Sequence, residues 1–135
     1  MPHKIHFNAD AGYIIVCYTG IVNLEELDEV RQEIESHPDF RPGLDRLWDE
    51  RACEIQMSHE DLTEIAKRWA GSKVDHGNRK LAYLVSQDLF WGFNRVFESY
   101  RENPAVDFQI FHEFELARKW LALPADLEDP SGWLT

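Results

Sequence analysis

An acid and a base stand two residues apart at Asp49 and Arg51, inside the segment "LDRLWDERA" (44–52). On an extended strand such a pair shares one face. It can orient a polar ligand, or it can simply neutralise itself as a local ion pair or a helix-cap contact. Ser86 and Asp88 follow "RKLAYLVS" (79–86), with Gln87 between them, and His112 and Glu113 follow "VDFQIF" (106–111). Asp88, with Ser86 in support, reads as the cap of a helix. The same helix start would attract an anion, for which Asp88 competes. In open α/β sheets ligands favour the crevice at the carboxyl ends of the strands. Those ends would here supply Gly20, Asp49, Glu50, Arg51, Ser86, Gln87, Asp88, His112 and Glu113.

Other chemistry-bearing residues form no recognisable motif. The six histidines give no His–x3–His pair, and "HED" at 59–61 lacks the second histidine of a zinc-protease helix. His3 and His6 fall on opposite faces of a strand. Neither phosphate-binding glycine pattern, G–x–G–x–x–G or G–x–x–x–x–G–K, occurs. No Ser–His–Asp or Cys–His arrangement is local. Cys17 and Cys53 read as reduced, half-buried thiols. No cofactor and no catalytic residue is expected.

A third group is aromatic. "DLFWGFNRVFESY" (88–100) carries Phe90, Trp91, Phe93, Phe97 and Tyr100. At ~100° per residue, Leu89, Phe90, Phe93, Val96, Phe97 and Tyr100 cover roughly a third of a helix circumference and read as a core stripe. Trp91 points away from that stripe, four residues before Arg95, within reach of a cation–π contact. An outward Trp beside an Arg has the composition of an interface anchor. The structural alternative is a covering loop or tail, for instance the one that bears Trp133.

The elements that would position these residues follow from periodicity. "HKIHFN" (3–8) alternates and reads as an edge strand; "GYIIVCYTG" (12–20) is nearly continuous in β-branched and aromatic residues, as in a strand buried on both faces. Four residues between them predict an antiparallel hairpin. Asn23 with Glu26 makes a capping-box-like start to a helix striped by Leu24, Leu27, Val30 and Ile34. Segment 44–52 is a third strand. Ser58 caps a second helix with Asp61 at its third position, and Leu62, Ile65, Ala66 and Trp69 line one side until Gly71. Strands at 79–86 and 106–111 bracket a third helix at 88–101. A last helix spans 113–122, ended by Pro124. The order β-β-α-β-α-β-α-β-α predicts an α/β domain with a mixed, mostly parallel five-stranded sheet and about four helices. Residues 1–123 form one domain, and 124–135 an acidic C-terminal tail.

The chain has 135 residues, 44% hydrophobic, with a formal net charge of −11. It is long enough to bury a core, and no apolar run approaches the ~20 residues of a membrane span. The negative field repels phosphate backbones and anionic membrane surfaces, so no nucleic acid and no membrane span are expected. "MPHKIHFNADAG" has no secretory features, which sets a cytoplasmic location as the expectation.

The segments "YIIVCYTGIVNLEEL", "RLWDERACEIQMSHEDLTEIA", "NRKLAYLVSQDLFWGFNRVFESY" and "FQIFHEFELARKWL" resemble, in order, the SpoIIAA-like proteins of the STAS (sulphate transporter and anti-sigma-factor antagonist) superfamily. The resemblance covers roughly residues 5 to 122 and rests on structural motifs: a strand ending in Gly, a strand ending "WD", a Gly–x–x–Arg helix and a last helix ending "WL". It implies a mixed sheet crossed by helices and a non-catalytic module that regulates a protein partner or binds a small ligand. In the antagonists the loop before the second helix carries an Asp-Ser-Ser-Gly-type phosphorylation site. Ser58 in "EIQMSHED" stands at about that place, but the Asp, the second Ser and the Gly are missing, and its capping role accounts for it.

The sequence therefore predicts a non-enzymatic STAS-like regulatory or ligand-binding module. Its site would be drawn from Asp49, Arg51, Ser86, Asp88, Trp91 and Arg95. Its partner would be a protein or a small apolar or amphipathic ligand. A homodimer is expected, with Trp48 or Phe111 facing the second copy. The alternative is an enzyme or carrier that uses the polar cluster at the strand ends around an apolar pocket.

Overall fold

The structure, a computed structural model, describes residues 3–86 and 103–134. Five strands lie in one sheet in their sequence order: β1 (His3–Asn8), β2 (Tyr13–Val22), β3 (Asp45–Ile55), β4 (Arg79–Leu84) and β5 (Val106–Phe111). β1 pairs antiparallel with β2, and every later pairing is parallel. The α/β class, the mixed sheet and the hairpin are as expected. Three α-helices occur among the described residues: α1 (Leu24–Ser36), α2 (His59–Ala70) and α3 (Phe114–Trp120). The helix expected at 88–101, with Asp88, Trp91 and Arg95, lies outside the described residues.

Because β2, β3 and β4 succeed one another in a single direction, right-handed crossovers put α1 and α2 on the same face. Leu27, Val30 and Ile34 of α1, with Leu62 and Ile65 of α2, pack there on Ile14, Val16, Tyr18, Trp48, Leu81 and Tyr83. Completely buried residues such as Val30 and Ile34 each contribute about 1.5–3 kcal/mol by leaving water. The opposite face, with Tyr13, Ile15, Cys17, Leu47, Ala82 and Leu84, is covered by α3 and by the chain that follows it.

This two-sided cover corrects one expectation. Trp48 is 5% exposed and Phe111 9% exposed, so neither ring faces outward toward a second copy. Trp48 lies between Tyr18 and Tyr83, nearly parallel to both, with Trp69 set edge-on. Phe111 packs beside Trp120 of α3. The acidic stretch 124–135 adds to the cover: Leu127 and Trp133, the latter in a 3-10 helix (Pro130–Leu134), pack on the second face.

The helix starts follow their capping residues with one difference. Ser58 and Asp61 form the full reciprocal box on α2: the Ser58 Oγ accepts from the Asp61 N–H at 3.1 Å, and Asp61 Oδ2 accepts from the Ser58 N–H at 3.2 Å. At α1 only half the box forms. Asn23 accepts from the Glu26 N–H, but the Glu26 carboxylate turns to His3 of β1. α3 ends in a Schellman motif, with the Leu123 N–H on the Arg118 carbonyl and the Ala122 N–H on that of Lys119. The left-handed position of this motif, usually glycine, is filled by Ala122 at φ 55°.

Candidate functional site

The carboxyl ends of β3 and β5 are where the sequence places its polar cluster. β3 carries a bulge there: Cys17 pairs with Asp49, but Thr19 pairs with Ala52, so β3 spends one residue more than β2. Bulges re-aim side chains. Arg51 is turned so that its Nε donates to Asp49 Oδ1 at 3.0 Å and its Nη2 to Asp49 Oδ2 at 2.8 Å. The local ion pair anticipated from the spacing is thus formed. Sequence reasoning missed a third member. Asp129, 78 residues away, takes the other edge of the same guanidinium, accepting from Nη1 at 3.3 Å and also from Nη2. The hydrogen bonds that Arg51 donates to Asp49, set against some burial and joined by those it donates to Asp129, raise the Arg51 pKa; the same donation, outweighing burial, holds the Asp129 carboxyl below its ordinary range.

Beside this latch is an open crevice of about 490 Å³ lined by Arg51, His112, Glu113, Phe114, Glu115, Leu127 and Asp129. His112 is exposed, and its Nδ1 lies 2.9 Å from the Val85 carbonyl. A carbonyl only accepts, so Nδ1 is the donor in this contact. Ser86, half-buried, sits just past the end of β4. Ser58 is exposed at the head of α2 and is engaged in its cap. The structure therefore brings Asp49 and Arg51 together with His112 and Asp129.

Two buried polar groups adjoin this end of β3. Glu50 is 2% exposed, and among the described residues its Oε2 has no hydrogen-bond partner; the Trp48 Nε1 is likewise buried without one among them. Burial, and secondarily the charge of Asp49, pushes the Glu50 carboxyl up to about 8, so it is mostly protonated at neutral pH. Both thiols are inert for similar reasons. Burial and then Asp49 push Cys17 up to about 12; burial and then Glu50 do the same for Cys53.

The opposite end of the sheet holds a network that the sequence did not reveal. Arg46, 1% exposed, places Nη2 2.6 Å from His76 Nδ1, and His76 Nε2 lies 2.7 Å from Glu35, which also accepts from Ser72. Because arginine only donates, His76 must accept at Nδ1 and donate from Nε2. Burial and the Arg46 charge push its pKa down to about 4, so it stays neutral. This network ties α1 to β3 and to the loop before β4. A larger groove, about 540 Å³, runs between α1 and α2 over Arg31, Glu35, Lys67 and Arg68. Its two arginines are already paired, Arg31 with Asp28 and Glu35, Arg68 with Glu64 and Asp28. Among the described residues no group of three or more His, Cys, Asp and Glu side chains is arranged to hold a metal ion. No helix among them is long and apolar enough to cross a membrane.

A mixed five-stranded sheet in sequential order, crossed by helices, is a SpoIIAA-like α/β fold. The chain is similar to the crystal structure of an uncharacterized DUF3478-family protein with a SpoIIAA-like fold from Shewanella loihica PV-4. The two superpose with a TM-score of 0.60 over 88% of this chain and 91% of that one, at 17% sequence identity. No protein-family model matches the sequence, and no curated protein matches it significantly.

Proposed function

We propose that this protein is a non-enzymatic module that binds a small amphipathic ligand, or the side chains of a regulatory partner, in the crevice at the carboxyl ends of β3 and β5. The observation that carries this reading is the crevice itself. It puts a charged fork, Arg51, beside apolar Phe114 and Leu127 in about 490 Å³. Binding sites combine an apolar lining with a few convergent polar groups in volumes of ~300–1,000 Å³. Thiols held near 12 are poor nucleophiles at neutral pH, which favours binding over covalent chemistry.

The enzyme reading draws on one observation, the neutral carboxyl of Glu50, whose raised pKa suits a general acid. Its burial argues against that role, because a proton donor must reach the reacting atom. The homodimer, if formed, would use edge strands or exposed helix faces, since Trp48 and Phe111 are enclosed. Native mass spectrometry of the protein purified from its own cells tests the binding reading. Retention of a small molecule or a stoichiometric partner, lost on Arg51→Gln, supports it. An unliganded mass with no partner, and Arg51→Gln cells indistinguishable from wild type, would refute it. Light scattering on the same sample decides the oligomeric state.

A further inference from the structure

We propose that residues 122–134 are a displaceable strap, and that Asp129 is a built-in stand-in for the carboxylate of an amphipathic ligand that takes its place on Arg51. This deepens the binding reading above and rests on it.

The geometry points to the strap in three ways. First, Arg51 has two carboxylate partners of different standing. Asp49 lies on the strand beneath and is 6% exposed, whereas Asp129 comes from the strap and is 43% exposed. The first is fixture and the second is latch. Second, the strap forms one wall of the crevice through Leu127 and Asp129. Among the described residues its other ties are apolar or to backbone carbonyls and one ring: Leu123 and Pro130 are buried, Leu127 and Trp133 are half-buried, the Leu123 carbonyl accepts from Arg118 and the Trp133 carbonyl from Lys4, and the Trp133 ring meets His6 edge-on. Third, the strap begins at Ala122, in the left-handed conformation that a side chain disfavours. Strain at the hinge and a half-exposed carboxylate latch on a shared arginine describe a segment set to move.

The occupant follows from what the strap now supplies. Its carboxylate fills one edge of a guanidinium fork, the geometry that matches carboxylates two-pronged. Leu127 and Trp133 cover an apolar face that contains Tyr13, Ile15 and Cys17. A ligand that reproduces both has one carboxylate and an aliphatic tail. A singly charged head exchanges for Asp129 one-for-one. A doubly charged phosphate would meet Asp49 as well as Glu113 and Glu115 of the crevice. The overall charge of −11 opposes anions at long range, but at physiological salt such repulsion is screened beyond ~8 Å.

Hydrogen exchange of the full chain, with sodium octanoate as the probe, tests this. Octanoate should speed exchange saturably at the Ser131 and Gly132 amides, which are bonded to the Asp129 side chain and carbonyl. Octyltrimethylammonium, with the same tail and opposite charge, should not. Asp129→Asn should bind octanoate about two- to fivefold more tightly, the range spanned by loss of a competing, partly exposed ion pair. Arg51→Gln should abolish the response, and because Asp129 is half-exposed its variant provides the arm that does not depend on core packing. The proposal is overturned by unchanged strap exchange under saturating octanoate, by equal affinity in Asp129→Asn, or by equal opening with the ammonium probe. Octanoate binding without strap opening would overturn the strap and leave the binding site standing.

Discussion

Glu50→Gln should make the protein more stable at neutral and alkaline pH, because it removes a group that ionises readily only once the chain unfolds. The buried carboxyl titrates near 8 in the folded chain and near 4.5 when free. The folded state therefore binds more protons than the unfolded state between these values, and stability falls as pH rises through that window. Each unit is worth ~1.36 kcal/mol, so ionisation of Glu50 costs the wild type about 3 kcal/mol between pH 5 and pH 8. Glutamine keeps the shape and never ionises. A comparable desolvation cost is expected for the glutamine amide and the neutral carboxyl, so that contribution roughly cancels in the comparison. Urea denaturation at pH 5, 6, 7 and 8, monitored by far-UV circular dichroism, reads the effect. The wild-type midpoint should fall with pH more steeply than that of Glu50→Gln, the two curves separating by about 3 kcal/mol. Parallel curves would mean that Glu50 is solvated or paired in solution and would refute the reasoning.

His3 has the opposite sign. Burial opposes its charge, but the hydrogen bonds its ring N–H groups donate to Glu26 and Glu33 prevail and raise its pKa above 6.5. The stability this gives is present below 6.5 and lost as pH climbs through the folded value, so His3→Gln should cost about 1 kcal/mol at pH 6 and little at pH 9 by the same denaturation assay. Ala122→Gly should raise stability by about 0.5–1 kcal/mol, because glycine relieves the left-handed strain at a smaller entropic cost in the unfolded chain; a fall in thermal midpoint would contradict it. At pH 7.5, Cys17 should resist a thiol reagent until the protein unfolds and Cys53, half-buried, should react slowly, as single-cysteine variants would show.

The strands and caps were legible because they are local. Ser58–Asp61, the alternation of 106–111 and the continuous apolar run of β2 each state their structure within a few residues. β3 was read three residues short, since "CEI" past the bulge carries no clear alternation of its own. Asp49 and Arg51 were legible for the same local reason. Asp129 was not, being brought in from 78 residues away, nor was the tie of His76 to Glu35 across 41. Trp48 and Phe111 were misplaced because alternation sorts residues onto two faces without saying that both faces are covered. The stretch 124–135 reads as an acidic tail whose Trp133 could cover another element; which element was not legible, and Leu127 and Trp133 pack on the second face of the sheet.

The sequential strand order bears on how the molecule is made. As a ribosome releases the chain, each new parallel strand can dock on the last one at an open edge, with no insertion between strands already in place. The greasy patch around Ile15 and Leu47 receives its lid only after every strand has been synthesised, because α3 and the strap follow β5. Nascent or truncated forms ending near residue 113 would thus lack the cover that α3 and the strap give this patch, and be stickier toward chaperones and toward each other.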